Sequence, residues 1–494
     1  MTRLPILPAL LVASSLVAQE APKVQSPAGA PTKLTLQGAI ETSLKNNLQV
    51  QIAVETRDYN RAGVLIEQGV FDWNLTAGLK VSKSNDPQFG ADATTFSRGL
   101  TVGSTKAFGW GGNLSLQYAP TYYLSTSAGS TTPAPYDGGF TATYTQSLLK
   151  GFGRDATESR LIVARKGAEA ADLGFQKAII DLVASTESLY WDVVFAQRNL
   201  ENKQQALSLA QKQLKENQIR VQVGTLAPIE VTSSEASVAQ REQDIISAEA
   251  QLLNAKDALI RALYPSSERP SGLELADAPS VKPLAMDEAA AEKQALASRI
   301  ELKSARLDVE SKQILETAAA NRTLPQLDAY YTYNGSAASH TASEGLSAVN
   351  KDLTKGSYPG YTVGLQFAMP ILNRSAKGSQ AQARANRRQS ELSLRDLELG
   401  ITLETRQAFR NVEASAKGVA AAEKTRVFRE KDLEAEQKKF ENGMSTNFLV
   451  LSKQNDLDTA KSNELQSQIT YAKAITALEK ALGHLLEARK LEVK

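Results

Sequence analysis

The residues that could do chemistry are few and scattered. The 494-residue chain has no cysteine and two histidines, His340 and His484, too far apart to make a metal-binding motif. A metal site needs several donors held close together, so both histidines read as surface or packing residues. The G-x-S-x-G, H-E-x-x-H and GxxxxGK[ST] patterns are absent, which leaves no nucleophile elbow, zinc-protease helix or phosphate loop. No cofactor and no catalytic residue is expected. What does recur is a glycine between two helical patterns, Gly224 in Val223–Gly224–Thr225 and Gly443 in Asn442–Gly443–Met444. Glycine suits a turn between antiparallel helices because it tolerates positive φ.

The elements that would hold those turns occur twice. An offset of 252 aligns Leu48–Ser84 with Ile300–Ser336, and one of 219 aligns Val221–Leu263 with Phe440–Leu482. Each half reads as helix, strands, long helix, turn, long helix. The first repeat covers 34–263, with strands in 73–149 and helices at 157–222 and 228–263. The second covers 293–486, with strands in 326–372 and helices at 376–441 and 446–486. A proline-rich connector (264–292) lies between them, and 487–494 is a C-terminal tail. Arg3 and the apolar run Leu4–Val17 read as a signal peptide over 1–18, cleaved near Ala18, followed by a flexible leader (19–33). No later segment approaches 18 consecutive apolar residues, so an exported chain either stays soluble or crosses a membrane as a closed barrel.

The stretch 157–222 contains no proline and as a helix would run roughly 100 Å. Val193, Leu200, Leu207, Leu214 and Val221 recur every seven residues, as do Val231, Val238, Ile245, Leu252 and Leu259, the seam of a left-handed coiled coil. The β-regions alternate. Leu75, Ala77, Leu79 and Val81 oppose Asn74, Thr76, Lys80 and Ser82, and Tyr361, Val363, Leu365 and Phe367 oppose Thr362, Gly364 and Gln366. One apolar and one polar face, with tyrosines toward the strand ends, fits an outer-membrane barrel wall, although a soluble sandwich would show similar alternation. Two pairs of strands are too few to close a barrel, so several copies must share one. A further hairpin, Gly99–Ala107 with Gly112–Tyr118, either joins the barrel or extends it outside the cell. Ser125–Gly139 and Asn334–Lys355 read as long exposed loops. With 56 Lys+Arg against 54 Asp+Glu, nothing points to nucleic acid.

On three sets of residues the chain resembles the TolC-type outer-membrane efflux family, over Leu34–Leu486. They are Leu34–Ile40 with Leu44–Asn47, the junction Gln146–Gly153 with its counterpart Met369–Leu372, and the turns Val223–Val231 and Asn442–Val450. The resemblance implies a mainly α fold, with long coiled-coil helices forming a periplasmic α-barrel below a shared transmembrane β-barrel in a homotrimer. It implies an outer membrane location, lipid around the barrel, and a passive exit duct for multidrug efflux or type I secretion. The implied partners are a periplasmic adaptor and an inner-membrane RND or ABC pump. Val223, Gly224, Thr225, Asn442, Gly443 and Met444 would form the periplasmic tip that meets the adaptor.

Members of that family carry pore-ringing aspartates six and nine positions after the second turn glycine. Here those positions hold Leu449 and Ser452, and the first repeat has Glu230 and Ser233. Glu230 is the one acidic candidate: three copies would form a cation-favouring ring, or each would complement a helix dipole. Four methionines and no cysteine argue against a soft-metal relay. The competing reading is a periplasmic coiled-coil scaffold.

Overall fold

The protein is described by a computed structural model over residues 32–85, 94–127, 130–131, 136–264, 273–279, 286–339 and 345–491. In chain order the first repeat has β1 (Thr32–Leu34), α1 (Leu36–Asn46), α2 (Leu48–Gly69), β2 (Asn74–Asn85), β3 (Thr94–Ala107), β4 (Gly112–Ser127), β5 (Ser130–Thr131), β6 (Tyr136–Ser147), α3 (Arg154–Thr157), α4 (Ser159–Gln222) and α5 (Ile229–Leu263). The linking strand is β7 (Leu273–Leu275). The second repeat has α6 (Glu288–Ser298), α7 (Ile300–Asn321), β8 (Gln326–Ser339), α8 (Gly345–Lys355), β9 (Pro359–Ala368), α9 (Arg374–Glu441), α10 (Asn447–Ala481) and α11 (Leu485–Ala488). The proposed signal peptide and all but the end of the leader lie outside the described residues, as do His340 and parts of the connector.

The duplication has a physical signature in the opening helices. The helix breaks at Asn47 in the first repeat and at Arg299 in the second, the same place under the 252-residue offset. Asn47 caps the new helix by accepting a 2.8 Å bond from the Gln49 amide, while Arg299 bonds the Ala481 carbonyl and pairs with Glu301 and Glu404. One break is thus held by local capping and the other by a buried cation.

The helices pack into a layer whose widest core lies midway along α4. Tyr190, Trp191, Val193, Leu259, Leu263 and Ile469 are buried together there with Ala39 and Leu273. A two-stranded parallel sheet, β1 with β7, is fastened beside it. Tyr190 donates to the Asp277 carboxylate at 2.8 Å, and that carboxylate also accepts from the Leu36 amide at 2.7 Å. Burial, then the anionic Asp277, push the Tyr190 phenol above its ordinary range. The connector therefore contributes a strand, where its prolines had suggested only a surface link. The tail is fastened too: Arg489 forks onto Glu187, a fully buried carboxylate of α4 that also accepts from Thr476.

The strands form one antiparallel sheet in the order β2-β3-β4-β6-β8-β9, with the two-residue β5 beside β4. Both stretches read as loops need correction. Strand β6 begins at Tyr136, inside the first, and the second holds the end of β8 and the whole of α8. Serine, alanine and glycine hide a strand there, because they mark neither face by hydropathy. α8 is amphipathic. It buries Val349 against the sheet, where an added Cβ on Gly138 would meet that side chain at 2.4 Å. The final helical pattern also breaks earlier than expected, ending at Ala481 before Gly483 at φ +77°.

Candidate functional site: the helical tip and the barrel wall

Both predicted turns fall at one end of the helices and close in the same way. After α4, Gly224 adopts φ +75° and the Thr225 amide reaches back to the Arg220 carbonyl at 2.9 Å. After α9, Gly443 adopts φ +75° and the Met444 amide reaches the Lys439 carbonyl at 2.8 Å. These are Schellman-type ends that satisfy the last carbonyls of each helix. Thr446 caps the start of α10, its hydroxyl accepting from the Leu449 amide. The side chains of Val223, Ile229, Met444 and Phe448 are all exposed around this end.

The two hairpins are joined just behind the turns. Arg220 lies over the Phe440 ring at 4.7 Å, and Leu226 packs on the cluster of Leu433, Phe440, Val450 and Leu457. A buried polar node then ties three helices. Asn217 of α4 donates to both Ser234 of α5 and Asn447 of α10 at 2.8 Å, and accepts from Gln213 at 3.1 Å. Asn447 also donates to Ser234 at 3.2 Å. One layer further from the tip, Asp458 of α10 accepts from Arg241 of α5 at 2.8 Å and from Lys203 of α4 at 2.6 Å. Sequence reasoning missed both groups, because it searched the helices for apolar repeats.

Glu230 is half-buried at the start of α5, its backbone carbonyl accepting from Ser234 and Asn447. Ser233 is exposed and donates to the Ile229 carbonyl at 3.3 Å. Leu449 and Ser452 are exposed on the first turns of α10. Across the second turn, a hydrogen bond from Lys453, with the positive charges of Lys453 and Arg429, holds the Asp432 carboxyl below its usual range. Ser445, then Lys439, do the same for Glu436. No group of three or more potential metal donors occurs among the described residues.

At the opposite end the sheet has two chemically distinct faces. Following the strand register, Leu75, Ser104, Leu116, Ala142, Tyr333 and Tyr361 share one row on the mainly apolar face. The adjacent row on the other face is Asn74, Thr105, Ser115, Thr143, Thr332 and Thr362. The apolar side chains are open: Leu75, Leu79, Tyr361, Val363, Leu365 and Phe367 are each more than half exposed. No described helix is long and apolar enough to cross a membrane. An open apolar sheet joined to helices of 64 and 68 residues, each roughly 100 Å long, defines a membrane channel with a helical tunnel.

The family model for the outer membrane efflux protein matches residues 113–263 and 292–484, and the chain belongs to that family. Its fold is similar to the VceC outer membrane protein of Vibrio cholerae (14% identity, 91% of this chain and 96% of that one, TM-score 0.66). It is similar as well to the open state of the MtrE outer membrane channel of Neisseria gonorrhoeae (17%, 91% and 89%, 0.66). A third likeness is to the CmeC outer membrane channel of Campylobacter jejuni (15%, 91% and 85%, 0.66). No curated protein is detectably similar in sequence. The protein is thus an outer-membrane efflux channel with a large periplasmic helical part. The scaffold alternative gains no support, since a rod has no use for six strands that are apolar on one face.

Proposed function

We propose that three copies of this chain assemble into a passive, non-enzymatic exit duct, filled from an inner-membrane RND or ABC pump through a periplasmic adaptor. The observation that carries this reading is continuity. Strand β6 ends at Ser147 and α4 runs from Ser159 to the tip, so each copy contributes wall from membrane to tip without a break. The tip is the docking end for the adaptor. Exposed Val223, Ile229, Met444 and Phe448 offer apolar contact around the two glycine turns, as protein interfaces require at their centre. Glu230, Ser233, Leu449 and Ser452 sit on the first turns of α5 and α10 and are assigned to the pore at this level. Selectivity belongs mainly to the pump. Electron microscopy of the detergent-extracted mature protein tests the reading. A three-fold particle with a long tunnel below a membrane barrel is expected; a solid rod or a compact monomer would overturn it.

A further inference from the structure

We propose that all six long strands of each copy, including the β3–β4 hairpin, form membrane wall, so that the trimer closes an eighteen-stranded barrel through pairing of β2 in one copy with β9 of the next. This rests on the trimeric duct proposed above.

The hairpin is anchored at the helix end of the sheet. Its turn, Phe108–Gly111, docks on the junction that leads into α4: the Gly153 amide donates to the Trp110 carbonyl and the Ser147 amide to the Gly111 carbonyl, both at 3.2 Å. Thr157 donates to the Gly109 carbonyl. A hairpin projecting outside the cell would have its turn at the other end. Trp110 also donates to Tyr144 at 3.0 Å and stacks on Phe108. With exposed Trp73 and Phe152 these rings make an aromatic belt, the usual mark of a membrane interface.

Strand β3 carries the marks of both membrane boundaries on its apolar face. Lys106 lies over Trp73 and Phe108 at the helix end, and Arg98 lies over Phe96 and Tyr122 toward the other. At ~3.3 Å per residue and ~40° tilt, the eight-residue step from Arg98 to Lys106 climbs roughly 20 Å, close to the apolar band of such barrels. Between them Leu100 and Val102 continue the apolar row of Leu79 and Ala77.

The sheet is also staggered as a closed barrel requires. The register row that starts at Asn74, the first residue of β2, arrives at Thr362, six residues short of the end of β9 at Ala368. Six residues over five strand steps correspond to a tilt of about 40°, within the 35–45° of membrane barrels. β2 and β9 are the free edges, and bare edge amides are not tolerated in hydrocarbon. Six strands are too few to close alone. Because the number is even, β2 and β9 run in opposite directions, and a second copy can pair them antiparallel with both faces continuous. Eighteen strands at that tilt enclose a backbone radius of about 18 Å, against about 12 Å for twelve.

The cysteine-free sequence makes the contact testable by cross-linking. Thr362 sits on the polar face six residues up, so its neighbour on β2 is Lys80 or Ser82. Oxidation of Thr362→Cys paired with Lys80→Cys or with Ser82→Cys should give covalent dimers and trimers on a denaturing gel. Microscopy of the wild-type particle should count eighteen strands. A three-fold particle with twelve strands, or cross-linking of Thr362→Cys to Ala119→Cys of β4 instead, overturns the proposal and leaves the duct intact. Loss of three-fold symmetry overturns the duct reading itself.

Discussion

Asn217 of α4 and Asn447 of α10 are hydrogen-bonded at 2.8 Å with both side chains buried, and Ser234 of α5 completes the node. Behind the Arg220–Phe440 contact it is the buried side-chain layer in which the first helical hairpin is bonded to α10 of the second. Any widening of the tip that separates α10 from α4 must break it.

Asn217→Ala should therefore loosen the tip. It strips Gln213, Ser234 and Asn447 of a partner, and a buried polar group left unsatisfied costs roughly 1–3 kcal/mol. Hydrogen exchange should speed up in 213–234 and 447–458 while the strands stay protected, and single-channel conductance in planar bilayers should rise. Unchanged exchange at the tip would show that the node is packing without latch function.

The ion cluster one layer away is asymmetric. Asp458 is the close counter-ion shared by Arg241 and Lys203, with Asp244 a longer partner of Arg241 at 3.9 Å, and both Arg241 and Asp458 are buried. Asp458→Asn leaves two cations facing each other and should destabilise by ~3–5 kcal/mol, the range for breaking a buried pair. Lys203→Met keeps the Arg241–Asp458 pair and should cost much less. Denaturant unfolding in detergent ranks the two; equal losses would contradict the assignment of Asp458 as the shared counter-ion.

The apolar heptads and the alternating strands were legible because hydropathy marks them. The inner face of α4 was not, because in the tip half it follows Ala196, Lys203, Ala210 and Asn217. That row also repeats every seven residues but has two polar members, which bond Asp458, Ser234 and Asn447. The row read from the sequence, Leu200 to Val221, is only half-buried within one copy, which leaves it free for a neighbour. The turns were legible because glycine at φ +75° has few substitutes. β7 and the fastened tail were not, since their partners Leu34 and Glu187 lie far away in sequence.

The glycines should separate by surroundings. Gly224 and Gly443 both have φ +75°, and an added Cβ meets nothing within 4 Å, so alanine there costs only backbone strain, about 1 kcal/mol. Gly111 has φ +95° and its Cβ would lie 2.3 Å from the Gly151 carbonyl oxygen. Gly111→Ala should lower the yield of heat-resistant trimers in outer-membrane fractions far more than Gly224→Ala; similar yields would mean the hairpin turn is not fixed to the junction.

Acid should open the second turn. Lys453 joins α10 to Asp432 of α9 at 2.9 Å, and the Asp432 and Glu436 carboxyls both lie below their ordinary range. A depressed folded pKa gives stability that is complete above the unfolded value, near 4 for carboxylates, and is lost as pH falls through the folded one. Spin labels at Gln437→Cys and Leu451→Cys should keep one distance from pH 7 to about 5 and spread below about 4. Asp432→Asn should remove part of that change; a spread already present at pH 6 would rule out these carboxylates as its cause.

Glu230 separates two physical roles by one substitution. If three Glu230 carboxylates ring the pore, Glu230→Gln removes the charge there, and cation selectivity and block by multivalent cations should both fall, with little change in stability. If Glu230 instead complements the α5 dipole, the same change should leave conduction alone and cost about 0.3–1 kcal/mol. Reversal potentials in a salt gradient, measured beside thermal unfolding of the same preparation, distinguish the two. The Glu230 backbone carbonyl is held by Ser234 and Asn447, so the start of α5 keeps its geometry in either case. The expected outcome is lost selectivity with unfolding unchanged, and unaltered reversal potentials would remove Glu230 from the gate.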